Sequence, residues 1–282
     1  MNGALKVPPS RPYIISNDNK FLLTNVNKIA MQGESTNVLV TGKAGCGKSE
    51  LVTQFAASNK RPLVVLEVGM LSEPSQIFGY RDLKDGQVSF VPGIFTVAIQ
   101  TPMAVIHLEE LNRPETDRSL NAIFSILDPN VRAIWIDELG DYIRIAPGVT
   151  IFASLNEGFE FVGTIPIDEA LRNRFGVKIR LDYLPGDREI ALLILRTGIT
   201  EEMASQIVSI ANSLRQNSQE SFHLSVRDTI NIAQWCKMGA SLLLAFRTTL
   251  EVDESKLEQI FLSLHLAGIK LSHEEVMGYG LL

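Results

Sequence analysis

Short runs of successive apolar residues alternate along the N-terminal part of the chain with stretches of helical spacing. The runs are "NVLVTG" (37–42), "LVVLEV" (63–68), "MAVIHL" (103–108), "VTIFASL" (149–155) and "VKIRL" (177–181). Strands covered on both faces of a parallel sheet read this way, because neither face meets water. Between the runs, Leu22, Val26 and Ile29 share one helical face, and Leu120, Ile123, Phe124 and Leu127 share another. This alternation predicts an α/β domain, a five-stranded parallel sheet flanked by helices. Two segments interrupt it. "DLKDGQVSFVPG" (82–93) carries the hairpin signal Asp85-Gly86, and "VRAIWIDELGDYIRI" (131–145) reads as a second hairpin with Gly140 in its turn. Beyond "YLPGDRE" (183–189) no strand run recurs; Ala204, Ile207, Val208 and Ala211, then Val226, Ile230 and Ala233, follow helical spacing. The expected boundary is at Pro185-Gly186, with a large α/β domain over 1–184 and a smaller all-helical one over 185–282.

Composition narrows the class. A chain of 282 residues, 45% hydrophobic and 21% charged, is of ordinary globular type and long enough for a large domain plus a small one. Its net charge of -6 argues against a protein that coats nucleic acid, although a local basic groove is compatible with it. Cys46 and Cys236 have no CxxC or Cys/His spacing, which fits a reducing compartment and offers no zinc site. No stretch approaches the roughly 18 apolar residues of a membrane span. "MNGALKVPPSRPY" has no apolar core of signal-peptide type. A soluble cytoplasmic protein with no membrane partner is expected.

The chemistry begins at "GKAGCGKS" (42–49), which follows a strand run, opens a helical pattern and matches G-x-x-x-x-G-K-[ST]. Gly42, Lys43, Ala44, Gly45, Cys46, Gly47, Lys48 and Ser49, with Glu50 after them, are therefore candidate phosphate-binding residues. The glycines let backbone N–H groups converge on phosphate oxygens, Lys48 would neutralise the β/γ-phosphates of ATP, and Ser49 would offer its hydroxyl to Mg²⁺. The plain alternative is a Gly-rich turn. Cys46 faces a positive site where a thiol pKa can fall, but reads as a small loop-filling residue.

"VIHLEELNRP" (105–114) supplies the partner motif, a strand ending in two carboxylates. Glu110 stands where a general base would polarise attacking water, and Glu109 where a carboxylate would steady Mg²⁺. The usual pair is Asp-Glu. Glu109 keeps the charge and adds a methylene, a small perturbation for an ion that demands near-octahedral geometry. Strand alternation places His107 away from Glu110's neighbours, as a packed histidine. His223, His265 and His273 lack ligand spacing.

With these motifs in place, the chain resembles the AAA+ ATPases, and within them the MoxR group with its CbbQ/NirQ/NorQ/GvpN branch and the related chelatase subunits, over about residues 20–240. "EELNRPETDRSLNAIFSILD" is similar to that group's D-E-I-N-R-A stretch and the helix after it. "TIFASLNEG" is similar to its sensor-1 strand, which makes Asn156 the residue that orients attacking water. "IPIDEALRNRFGVKIRLDYLPGDRE" resembles the segment carrying an arginine finger, with Arg174 the first choice and Arg172 the second. "LSVRDTI" resembles sensor 2, with Arg227 reaching the γ-phosphate. Independently, Ser225 and Asp228 form an S-x-x-D cap that puts Arg227 in the first turn of a helix. A surface salt bridge for Arg172 and a domain-interface ion pair for Arg227 are the plainer readings.

The resemblance implies an AAA+ P-loop NTPase fold with a helical lid, and Mg²⁺-dependent ATP hydrolysis by a homo-oligomeric ring, a hexamer by expectation. It also implies a remodelled or activated protein client, in many relatives a protein with a von Willebrand factor A domain. Both hairpins can then face a pore or client, with Phe90 and Trp135 as contacts or simply as hairpin core. Because the chain is short at its C-terminus, client recognition is expected from the insertions or from another polypeptide. The competing readings are a nucleic-acid-directed motor of a restriction or phage system and an ATP-dependent scaffold with little turnover.

Overall fold

In the computed structural model the described residues are 5–68, 77–84, 86–112, 123–156, 169–216 and 224–250. Helix α1 (Asn17–Met31) starts where the Ser16 side chain accepts from the Asn19 N–H. Strand β1 (Thr36–Gly42), helix α2 (Lys48–Ser58) and strand β2 (Leu63–Glu67) follow. A hairpin, β3 (Gly79–Lys84) and β4 (Gln87–Pro92), precedes α3 (Ile94–Ile99) and β5 (Val105–Glu109). A second hairpin, β6 (Ala133–Ile136) and β7 (Asp141–Arg144), precedes β8 (Thr150–Asn156), α4 (Glu169–Asn173) and β9 (Val177–Leu181).

The five apolar runs form one sheet in the order β2-β5-β8-β1-β9, and every pairing in it is parallel. Parallel strands finish at the same edge, so the register that sets Gly42 opposite Asn156 and Glu67 opposite Glu109 gathers the ends of the motif-bearing strands. The central strands are buried on both faces, as their sequences require: Val38 to Val40, Ile106, Leu108, Ile151, Phe152 and Ala153 are all buried. Burying each large side chain is worth roughly 1.5–3 kcal/mol. Phe152 packs its ring 5.1 Å from that of Phe55 on α2, so Phe152→Ala would cost about 3–5 kcal/mol.

Two buried polar residues tie the first domain together. Arg61, 2% exposed, donates to the carbonyls of Met103 (2.7 Å) and Gly148 (2.6 Å) and to Thr150 Oγ1 (2.8 Å). These groups sit where β5 and β8 begin, so one guanidinium satisfies acceptors that the sheet ladder leaves over. Burial lowers its pKa to about 10, and it stays protonated. Asn37, on β1, donates to the carbonyls of Leu127 (2.7 Å) and Arg174 (2.8 Å) and accepts from Arg132 (2.7 Å).

Both expected hairpins are present. Gly86 (φ 77°) and Gly140 (φ 72°) take the left-handed conformation in their turns, while Asp85 lies outside the described residues. The hairpins separate the two candidate aromatics. Phe90 is half-buried against the core. Trp135 is 47% exposed and meets Tyr142 edge-on at 5.1 Å. The first hairpin's Arg81 donates to the Glu138 carbonyl of the second at 2.6 Å.

The chain divides into two compact units: residues 1–43 with 48–181, and Ala44–Gly47 with the described residues from Asp182. The second is helical, with α5 (Gly186–Thr197), α6 (Glu201–Gln216), α7 (Val226–Lys237) and α8 (Leu242–Leu250) around Leu193, Ile207, Ala211, Ile232 and Phe246. Glu189, fully buried on α5, accepts from Arg215 of α6 (2.7 and 3.0 Å) and from Thr229 of α7 (2.6 Å), which joins the three helices. Among the described residues no helix is long and apolar enough to cross a membrane.

Candidate active site

β1 ends at Gly42, and Gly45 (φ 67°) and Gly47 (φ 95°) both take left-handed backbone before α2 opens. A residue with a Cβ resists that conformation, so the glycines are what permit this loop. Lys48, the first residue of α2, is buried and donates from Nζ to the carbonyls of Gly42 (3.0 Å) and Lys43 (2.7 Å). Lys43 is exposed, Cys46 is buried as a loop-filling residue would be, and Glu50 accepts from Gln54 at 3.2 Å.

The two carboxylates of the "EE" pair take different partners. The Ser49 hydroxyl donates to Glu109 Oε1. Glu110 leaves the strand with φ 53°, and its Oε1 accepts from Asn156 Nδ2 at 2.9 Å. A hydroxyl and a carboxylate side by side are hard oxygen donors of the kind Mg²⁺ takes alongside substrate phosphates and water. The pair therefore fits the ion. It does not need an all-protein cage, and among the described residues no group of three or more His, Cys, Asp or Glu forms one.

His107 lies in the layer beneath. Its Nε2 meets Ser154 Oγ at 3.0 Å. Burial pushes its pKa down to about 4; Glu109 opposes the shift and Lys48 adds to it. It is a neutral, packed ring. Asn112, which the sequence did not single out, donates from Nδ2 to the Asn156 carbonyl at 3.2 Å, while the Leu111 N–H donates to the Ser154 carbonyl at 3.0 Å.

Lys48, Ser49, Glu109, Glu110 and Asn156 thus come together at one edge of the sheet. Arg172 is exposed on α4. Arg174, just beyond, is half-buried, donates from Nη1 to the Phe124 carbonyl at 2.8 Å and lies 5.1 Å over the Phe124 ring. Arg227 belongs to the second unit, exposed in the first turn of α7. The capping box before it is formed, with Ser225 N–H donating to Asp228 Oδ2 at 2.8 Å and Asp228 N–H to Ser225 Oγ at 3.3 Å. Arg113 and residues 157–168, parts of the stretches compared with the MoxR group, lie outside the described residues.

Comparison with known proteins adds a family match, two relatives and two solved structures. The family model described as AAA domain (dynein-related subfamily) matches residues 37–175. A protein of Thauera aromatica named "Putative chaperone BssE" is 44% identical over 264 residues, 94% of this chain and 91% of that protein. An uncharacterized protein of Staphylococcus haemolyticus is 28% identical over 74% of this chain and 78% of its own length. Among solved structures, a mutant of RuvB from Thermotoga maritima superposes with a TM-score of 0.58 at 16% identity, covering 96% of this chain and 76% of that one. NtrX from Brucella abortus in complex with ADP gives 0.51 at 15% identity, over 81% of this chain and 51% of its own. At such identities the two structures share a fold with this chain.

Proposed function

The chain belongs to the AAA+ ATPases, and on that footing we propose that it is an ATP-hydrolysing subunit of a homo-oligomeric ring, a hexamer, that remodels or activates a protein client as in the MoxR group. The observation that carries this reading is the divergence of Glu109 and Glu110. One is paired with the Ser49 hydroxyl and the other with the Asn156 amide. A nucleotide-binding fold with no turnover has little use for a second carboxylate held by a polar sensor.

The residues then divide the work. Backbone N–H groups of the loop and the opening turn of α2 receive the phosphates. Lys48 neutralises charge on the β- and γ-phosphates. Ser49 and Glu109 would hold Mg²⁺, which when bound supplies positive charge to the phosphate oxygens. Glu110 orients a water for in-line attack and takes up its proton, while Asn156 fixes the carboxylate that does so. Positioning and charge are the main contributions to such a reaction. Arg174, or failing it Arg172, acts on the nucleotide of the neighbouring subunit, and Arg227 on the γ-phosphate of its own.

The protein client is supported by the chaperone in the name of the Thauera relative. The two hairpins, in the places where the MoxR group carries its insertions, support that branch; a partner with a von Willebrand factor A domain goes with it. The test is ATPase rate and assembly size, with and without ATP, for the wild type, Glu110→Gln and Arg174→Ala. Glu110→Gln should bind ATP and assemble without turnover. A wild type that neither hydrolyses nor assembles would sink the proposal. Turnover stimulated by DNA and by no protein would replace the client with nucleic acid.

A further inference from the structure

We infer that Asn112 is a positioning residue that holds Glu110 in its working geometry; the inference rests on the hydrolysis reading above. Glu110 has a Cβ and yet takes φ 53°, a conformation that nothing local favours. Something beyond the turn must hold it there, and the contacts of the next two residues do so. The Leu111 N–H is bound to the Ser154 carbonyl at 3.0 Å, and Asn112 Nδ2 to the Asn156 carbonyl at 3.2 Å. Asn156 in turn donates its own amide to Glu110 Oε1 at 2.9 Å. The links close a loop: Glu110 to Asn112 through the chain, Asn112 to the backbone of Asn156, and the side chain of Asn156 back to Glu110.

The clamp puts base and sensor under one constraint. Asn156 is the last residue of β8, where the ladder to β1 ends. A strand end fixed on one side only is free to twist. Asn112 grips it from the β5 side, so that the Asn156 amide and the Glu110 carboxylate cannot drift apart.

Asn112 is 7% exposed, and among the described residues its amide is bound through Nδ2. Its role is to position, since it reaches the reacting atoms only through Asn156 and Glu110.

The test compares wild type, Asn112→Leu, Asn112→Asp, Asn156→Ala, Asn112→Leu/Asn156→Ala and Glu110→Gln for kcat, KM for ATP, affinity for a fluorescent ATP analogue, and thermal midpoint. Asn112→Leu keeps the branching at Cγ in a larger, apolar side chain, and its kcat should fall about ten- to a hundredfold through lost positioning. KM and analogue affinity should stay within about threefold, since the phosphate loop is untouched. Asn112→Asp, which removes the donor at constant shape, should lose kcat to a similar degree even if the Leu variant folds poorly. The double variant should be no slower than the slower of its two parents, because both substitutions open the same loop. Full kcat in both Asn112 variants, with Glu110→Gln inactive, overturns the inference alone. Undiminished turnover in Glu110→Gln overturns the hydrolysis reading and the inference with it.

Discussion

Asn156 and Glu110 meet side chain to side chain, Nδ2 to Oε1 at 2.9 Å, across 46 residues of sequence. The contact sets the orientation of the carboxylate. Asn156→Ala should therefore lower kcat by about ten- to a hundredfold with little change in ATP affinity, since it misplaces a group and leaves the phosphate contacts intact. Steady-state kinetics alongside equilibrium binding of an ATP analogue would check it. An equal loss in both measurements would mean that Asn156 binds nucleotide and does not orient the base.

The Ser49–Glu109 pair predicts a different signature. Glu109→Asp keeps the charge and should keep activity. Glu109→Ala should lose most of it and require far more Mg²⁺ to reach what remains, because one carboxylate is a large share of a magnesium site. Chelation of divalent ions should silence the wild type. A Glu109→Ala variant with unchanged Mg²⁺ dependence would remove Glu109 from the metal role.

The two finger candidates separate by what they touch. Arg174 is stacked on Phe124 and bonded to its carbonyl, so Arg174→Ala should cost about 1–2 kcal/mol of stability besides any loss of turnover. Exposed Arg172 should tolerate Ala with an unchanged thermal midpoint. A finger acting in trans is worth about 10³–10⁵ in rate. Mixing inactive Arg174→Ala with inactive Glu110→Gln should then restore activity, because mixed interfaces pair an intact base with an intact finger. Rescue with Arg172→Ala in its place would assign the role to Arg172.

His107 predicts a pH effect on stability. The folded protein holds its pKa at about 4, below the ordinary value of 6.5, because burial penalises the charged ring. Between those values the unfolded chain takes up a proton that the folded one refuses. Stability present above pH 6.5 should therefore decline as pH falls toward 4, by roughly 3 kcal/mol in full. Urea midpoints at pH 7 and pH 5 should differ more for wild type than for His107→Asn. Equal differences would show that other groups set the acid limit.

Arg61 carries no chemistry, and its removal should still be severe. Arg61→Met leaves the carbonyls of Met103 and Gly148 buried without a donor, and should cost roughly 3 kcal/mol or more. A thermal midpoint within a few degrees of wild type would show that water can replace the guanidinium.

The sheet was legible because strands buried on both faces write themselves as unbroken apolar runs, and all five runs became its strands. The loop glycines and the paired carboxylates stood out because phosphate and cation chemistry would call for those residue types; the structure adds the left-handed backbone of Gly45 and Gly47 and the separate partners of Glu109 and Glu110. Arg61, Asn37 and Asn112 were not legible. Their partners are largely backbone carbonyls of distant segments, and a carbonyl has no residue identity for a spacing rule to find. The hairpin aromatics failed for another reason. "AIWI" is apolar at every position, so alternation could not say that Trp135 turns outward while Ile134 and Ile136 turn in.

The backbone of Glu110 has a consequence of its own. Glycine would adopt φ 53° without strain, and asparagine nearly so. Glu110→Gly would relieve that backbone strain at the cost of the bond from Asn156, so the acid proposed to activate water stands at a position whose backbone alone would suit another residue.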